Sequence, residues 1–440
     1  MRVKLPSLRY GDLIYQLLGF FATASVLAIP LGGRVLSLYT VMLVPVFADL
    51  VFHFRTRRFP MAVNRPELYF YLWMSISVVA SLFGFLYFSS LPEWSAKAVG
   101  YVPRILIYLV LLFFLMGNED KERKSSALLQ GIKWGIVANL VWSLLDAAVY
   151  YATGFSLTNS VFQYYIEATD TRYGQLSLVK SDQFRSGGLN GDPANMGLFT
   201  IILAAYALRK RKIGYYILSV LSIFASVSMI AAAGVAVVTL VHLCTNVQIR
   251  FTRRQLRVGL AAVAVLLVLL VAFSSLMEGM FQSFLARLSL KVQQGSGTGE
   301  ESLRMYYYKY FLPAVVRHPL YLLIGTGYMT SSYPYLLHGY TTEEFYPFDP
   351  EVTYIANYFD LGLLGFAFFM AFYVELFIRM RQRVRTEASE ANCMLMAALA
   401  GILLAFFGYH YTLYSVVILV SICAIVQTRD DAPVPIENAA

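Results

Sequence analysis

Runs of about 17–25 apolar residues recur along the whole chain, each long enough to cross the hydrocarbon core of a bilayer. One enlarged soluble core does not call for such a succession. The composition agrees, since 58% of the 440 residues are hydrophobic, only 14% are charged, and the mean hydropathy is +0.60. A soluble domain carries roughly 25% charged residues. Continuous apolar runs point to helices, because a membrane β-barrel shows short alternating segments instead. The spacing predicts an all-α, polytopic membrane protein of about twelve spans. They lie roughly at 12–31, 36–54, 68–89, 98–116, 132–153, 191–208, 213–229, 231–247, 258–277, 353–377, 393–409 and 411–427.

Basic clusters set the orientation. "RTRR" (55–58), "KERK" (121–124), "RKRK" (209–212), the arginines of "QIRFTRRQLR" (248–257) and "RMRQRVR" (379–385) occupy every second loop. The positive-inside rule puts these loops and both termini in the cytoplasm, which an even number of spans allows. The net charge of +9 therefore belongs to membrane topology, and no nucleic-acid partner is expected. The start, "MRVKLPSLRYGD", leads into a full-length span without a small-residue cleavage site, so no cleavable signal is expected. Cys244, Cys393 and Cys423 fall in or beside apolar segments. They exclude a disulfide-stapled ectodomain and give no metal-ligand spacing. The chain divides into a bundle of nine spans at 1–277 with an external loop at 154–190, a large external loop at 278–352, and three spans with a cytoplasmic tail at 353–440. The loop between spans nine and ten begins with the flexible "QQGSGTGEES", and its length is itself a functional signal.

Three polar stretches stand on the external face. The first is "FRSGGLNGDPANMGLF", 184–199. Asp192 suits a helix N-cap and Pro193 the first helical position, with Asn195 in the first turn. Arg185 and a glycine run come just before, and a helix N-terminus beside an arginine is a ready anion site. The same residues also read as a capped helix with an interfacial arginine that snorkels. The second is "ESLRMYYYKYFLPAVVRHPLYLLIGTGYM", 301–329, where Arg304 and Arg317 bracket an aromatic helix. Arginine favours bidentate phosphate recognition, and a solvated basic face is the plainer reading. The third is "DPEVTYIANYFDLGLLGF", 349–366. Glu351 stands where a span begins, as a functional carboxylate or as a cap. Asp360 lies about two and a half turns further in. A carboxylate inside a span is a functional candidate by default, yet for Asp360 and Asp146 buried structural hydrogen bonding is the preferred reading. Tyrosines including Tyr306 and Tyr333 crowd the large loop and suit either sugar rings or a membrane interface. His318 and His338 lie there without a second ligand at a recognisable spacing, so no metal is expected.

These stretches resemble the O-antigen polymerase and O-antigen ligase superfamily (Wzy and WaaL types). The shared pattern is R-x-G-G-L-x-G-D-P-x-N leading into a span, here Arg185 to Asn195. A long external loop follows, with S-x-R (Ser302 to Arg304), H-P-L (His318 to Leu320) and G-x-G (Gly325 to Gly327). It closes on G-x-x-G in a membrane helix, Gly362 and Gly365. Two positions depart from the ligase pattern. Glu351 stands where ligases look to have a histidine, and Met229 in "SVSM" (226–229) replaces an arginine. Both departures fit the polymerases better.

The resemblance implies a glycosyltransferase-C-like bundle in the bacterial inner membrane, its large loop roofing a lipid-facing groove on the periplasmic side. It implies a polymerase that moves a growing glycan from its undecaprenyl diphosphate carrier to a sugar hydroxyl of the next lipid-linked repeat. Arg185 and Arg304 are then the catalytic cations and Glu351 the general base, with His338 as its runner-up. Arg317, His338, Asp192, Asn195, Tyr306 and Tyr333 bind substrate. Neither metal nor cofactor is implied. Membrane lipid and a chain-length regulator are the further partners, and the product is O-antigen, capsule or exopolysaccharide. The alternatives are a ligase acting on lipid A core and a lipid-linked glycan flippase or secondary transporter, although no internal repeat of the transporter kind is visible.

Overall fold

The computed structural model describes residues 10–31, 34–54, 63–87, 99–169, 175–180, 183–245, 278–279, 281–286, 288–289, 313, 323–328, 330, 352–408 and 415–429. Over these residues the protein is mostly helical. The helices, in chain order, are α1 (Tyr10–Thr23), α2 (Leu38–Phe52), α3 (Arg65–Tyr87), α4 (Val102–Met116), α5 (Lys121–Thr153), α6 (Leu157–Val161), α7 (Gln163–Thr169), α8 (Pro193–Lys210), α9 (Ile213–Ser226), α10 (Met229–Thr245), α11 (Thr353–Thr386), α12 (Glu390–Ala405) and α13 (Ser415–Thr428). Two antiparallel hairpins complete the set: β1 (Ala28–Leu31) with β2 (Arg34–Ser37), and β3 (Leu178–Lys180) with β4 (Gln183–Arg185).

Among the described residues, three helices are long and apolar enough to cross a membrane, over Arg65–Leu86, Lys121–Thr153 and Thr353–Thr386, and α2, α4, α9, α10, α12 and α13 are apolar and shorter. Leu82 and Leu86 on α3, Leu106 and Val110 on α4, and Leu240 and Val241 on α10 are exposed. Helices that are apolar on their outward faces as well as inward are membrane spans, and a polytopic membrane protein follows.

The elements differ from the sequence expectation in several places, among them α11, which runs on to Thr386 past the expected end at 377. The first apolar run, 12–31, is not one helix. Its "AIPLGGRV" end carries a proline and a Gly-Gly pair, which helices do not carry through, and it forms the β1–β2 hairpin instead. In the other direction, α5 starts at Lys121, about three turns before the apolar run at 132. The ninth expected span, 258–277, lies outside the described residues, as does most of the loop 278–352.

Close backbone approach and aromatic seams hold the bundle together. Gly19 of α1 faces the backbone of Leu128 and Ile132 on α5, and Gly131 of α5 faces Gln16 of α1. Small residues of this kind let membrane helices touch. Across the α3–α11 seam Trp73 stacks on Phe372 at 5.8 Å and meets Phe369 edge-on at 5.2 Å. The described residues of the stretch 154–190 are folded rather than loose. Trp142 Nε1 donates to Thr158 Oγ1, Tyr164 Oη donates to the Val26 carbonyl, and Ser25 Oγ donates to the Asn190 carbonyl.

Ion pairs gather the helix ends that adjoin the basic clusters on one side of the bundle. Lys124 meets Asp49 at 2.6 Å, Lys133 meets Glu390 at 2.6 Å, and Arg429 meets Glu67 at 3.4 Å. Lys212 also reaches Glu390, and Lys210 donates to the Ala388 carbonyl. Removing one member of such a pair leaves a buried charge without its partner. Glu390 precedes the apolar run that begins at residue 393. Its carboxyl is held down from the usual 4.5 to about 2, first by the hydrogen bond from Lys133 and next by that from Tyr206. A depressed folded-state value means stability that is present above the unfolded value and lost as pH falls through the folded one. Glu390→Gln is therefore expected to lower Tm near neutral pH. Thermal unfolding in detergent should show its gap to the unsubstituted protein closing as pH drops from about 5 to about 3.

Candidate functional site

Arg185 is the last residue of β4, with Leu178 opposite it in β3. Successive residues of an extended chain point to opposite faces. Phe184 turns towards α5 and stacks on Tyr150, ring centroids 4.2 Å apart and planes 12° apart. Ser186 turns the same way, and its hydroxyl donates to Asp146 of α5 at 2.9 Å. Arg185, between them, faces away from α5. Its Nε donates to the Ser226 carbonyl at 3.4 Å, at the last residue of α9, and the Ser186 amide donates to the Ala225 carbonyl next to it. A cation at a helix C-terminus is favoured by the free carbonyls there. Arg185 remains half-buried, and no described carboxylate pairs with it.

The chain reverses sharply at the α9–α10 junction, where Val227 adopts φ 48° and Ser228 caps the start of α10 by accepting from the Ala231 amide. The "SVSM" stretch is thus the turn under Arg185. Met229, where the family pattern has an arginine, is the first residue of α10, and Arg185 brings a guanidinium to this junction from a different segment.

The α8 start is separate from this contact. Asp192 is its N-cap, accepting from the Ala194 amide at 2.8 Å, with Pro193 as first helical residue. Asn195 donates to Asn190 Oδ1 at 2.6 Å, and Asn190 donates to the Thr23 carbonyl of α1. These residues tie the glycine turn to α1. The hydrogen bond of Arg185 goes to the end of α9 and not to the first turn of α8.

A second cluster forms where two glycine motifs meet. α11 is broken at Gly362, whose φ of 66° and ψ of −174° are not helical. The break frees the Phe359 and Asp360 carbonyls, which an unbroken helix would give to amides four residues on. The loop carrying Gly325 and Gly327 takes them. The Thr326 amide donates to Phe359 O and the Gly327 amide to Asp360 O, each at 2.9 Å. The Asp360 carboxylate accepts from the Thr330 amide at 3.2 Å, and Tyr328 donates its amide to Ser81 of α3. Non-helical backbone within a membrane is tolerated only where protein satisfies its polar groups, and here each motif satisfies the other. Gly325, at φ 78°, lies so close that a Cβ there would press on the Asp360 carbonyl and come within 2.6 Å of the Gly362 nitrogen. Asp360 and Asp146 are both fully buried and hydrogen-bonded, as preferred from the sequence.

The remaining sequence candidates, Glu351, Arg304, Arg317, His338, Tyr306 and Tyr333, lie outside the described residues. α11 itself begins at Thr353, whose amide donates to the Phe406 carbonyl at the end of α12. Among the described residues no group of three or more His, Cys, Asp or Glu is disposed to hold a metal ion. Sequence reasoning missed Ser156, Ser177 and Ser186, which bind Asp146, and Thr326 and Thr330, which bind α11. Hydroxyls carry no periodic signal that would have marked them.

Residues 214–370 match the family model described as O-antigen ligase. The matched segment contains the α9–α10 junction, the Gly325–Gly327 loop and the break in α11 at Gly362, while Arg185 precedes it. No curated protein matches the chain. The family match bears out the resemblance to the O-antigen ligase and polymerase superfamily.

Because the two glycine motifs depend on each other, Gly325→Ala is expected to lower Tm sharply. An L-residue at that φ costs about 1–3 kcal/mol before the backbone overlap is counted. Gly214→Ala, where nothing lies within 4 Å, should leave Tm unchanged or raise it in the same detergent unfolding assay.

Proposed function

We propose that this protein belongs to the O-antigen ligase and polymerase superfamily and polymerises lipid-linked glycan, transferring a growing chain from polyprenyl diphosphate to a sugar hydroxyl of the next repeat unit. The observation that carries the reading is Arg185. It is a half-buried guanidinium held by its backbone at a helix junction, with most of its N–H groups uncommitted to any described residue. Glutamate at 351 and methionine at 229, where ligases differ, support polymerase over ligase.

In this reading the acceptor hydroxyl attacks the anomeric carbon of the donor and its proton passes to Glu351, with His338 as the alternative base. The bond from that carbon to the diphosphate oxygen breaks, and the lipid diphosphate leaves with the electron pair. Preorganised cations stabilise that developing charge better than water does, and Arg185, Arg304 and Arg317 are assigned to it. Tyr306 and Tyr333 offer flat faces to the sugars. Asp192 and Asn195 serve by shaping the turn that follows Arg185. The reaction face is the external, periplasmic one, opposite the basic loops.

A second reading, transfer to a lipid A core, takes the protein as a ligase, the word in the description of the matched family. One assay separates them. Purified protein is given lipid-diphosphate-linked repeat units with and without lipid A core, and products are resolved by gel. A ladder of lengths is expected from the repeat units alone. Arg185→Ala should reduce its rate by about 100- to 1000-fold and Glu351→Gln by about 100- to 10,000-fold. A single product that requires lipid A core would make the protein a ligase.

A further inference from the structure

We infer that Asp146 is a positioning residue whose carboxylate holds Arg185 in place for the lipid diphosphate; the inference rests on the role proposed for Arg185. Asp146 is fully buried in α5 and touches neither the guanidinium nor any described ion-pair partner. It collects four hydrogen bonds. Oδ1 accepts from Ser156 Oγ at 3.1 Å and from the Thr158 amide at 3.0 Å. Oδ2 accepts from Ser177 Oγ at 2.6 Å and Ser186 Oγ at 2.9 Å.

The direction of these bonds is not free. Each serine hydroxyl also accepts from a backbone amide: Ser156 from Asn159, Ser177 from Gly187, and Ser186 from Gly188. An amide only donates, so each hydroxyl turns its own proton to the carboxylate. With the Thr158 amide, four donors converge on Asp146, and only an ionised carboxylate accepts on both oxygens without offering a proton. Such charge-assisted bonds are the strong ones.

Oδ2 is the oxygen that matters for Arg185. It binds Ser186, the residue after Arg185, and Ser177, the residue before the Leu178 that pairs with Arg185. One oxygen therefore clasps the open end of the β3–β4 hairpin. The Tyr150–Phe184 stack secures the strand on the other side of Arg185. With both neighbours of Arg185 fixed to α5, its side chain faces, among the described residues, the α9–α10 junction.

Asp146→Asn keeps the shape but presents an N–H₂ to two donors. It must release either the hairpin or the α6 start. The test uses the full protein in lipid nanodiscs with undecaprenyl diphosphate as the probe. Affinity is measured for the unsubstituted protein, Asp146→Asn, Arg185→Ala and the double variant. Amide hydrogen exchange is followed over 176–190. Asp146→Asn is expected to weaken binding by on the order of 10- to 100-fold, as a misplaced group does, and to speed exchange at Gly187 and Gly188. The double variant should bind within about twofold of Arg185→Ala alone, because residues acting through one another are not additive. Ser186→Ala, which keeps the carboxylate, should reproduce part of the loss and guards against a failure of Asp146→Asn to fold.

Losses that add in the double variant, or unchanged affinity in Asp146→Asn while Arg185→Ala weakens, overturn the positioning role and leave the proposed function standing. Unchanged affinity in Arg185→Ala overturns the diphosphate role of Arg185 itself, and the inference with it.

Discussion

Backbone polar groups that cannot reach water must find each other, and the break in α11 shows what this demands. A helix interrupted at Gly362 exposes the Phe359 and Asp360 carbonyls inside an apolar bundle. They are paired by the Thr326 and Gly327 amides of a segment more than thirty residues earlier. The break and the loop are therefore one structure, since neither is tolerable in a membrane without the other. The loop is carried to this depth between α3 and α11, with Tyr328 bonded to Ser81 and Gly84 lying against Thr326. The Gly325–Gly327 loop is thereby anchored to α3 and α11.

The same economy of polar groups governs the two ends of the bundle. On the side of the basic clusters, lysines and arginines that turn inward meet carboxylates: Lys124 with Asp49, Lys133 with Glu390, Arg429 with Glu67. On the other side Asp146 meets no cation among the described residues and is satisfied by hydroxyls and an amide. The first arrangement staples helices to one another. The second fastens a loop to a helix, and the loop it fastens is the one that carries Arg185. A guanidinium fixed through its own backbone is preorganised, as the role proposed for Arg185 requires.

Much of this was legible in the sequence. The apolar runs marked most helices to within a few residues, and the proline and Gly-Gly pair in "AIPLGGRV" explain why the first run ends early. Asp192 and Pro193 announced the α8 start. The family motifs located the two glycine pairs, although nothing in G-x-G or G-x-x-G says that they lock together. Arg185 was singled out, yet the expected neighbour was the α8 N-terminus and the observed one is the α9 C-terminus.

The sequence by itself determined the class of protein, the rough bounds of most described helices and the residues of unusual polarity. Those properties follow from local composition, because a bilayer rewards about twenty apolar residues in a row whatever surrounds them. Only the tertiary structure decided which polar atoms meet. Asp146 takes its hydroxyl partners from 10, 31 and 40 residues away, and Asp360 takes an amide from 30 residues before it. Hydrophobic periodicity reports which face of a helix is buried, but not where the chain returns. Hydrogen-bond partners are set by that return.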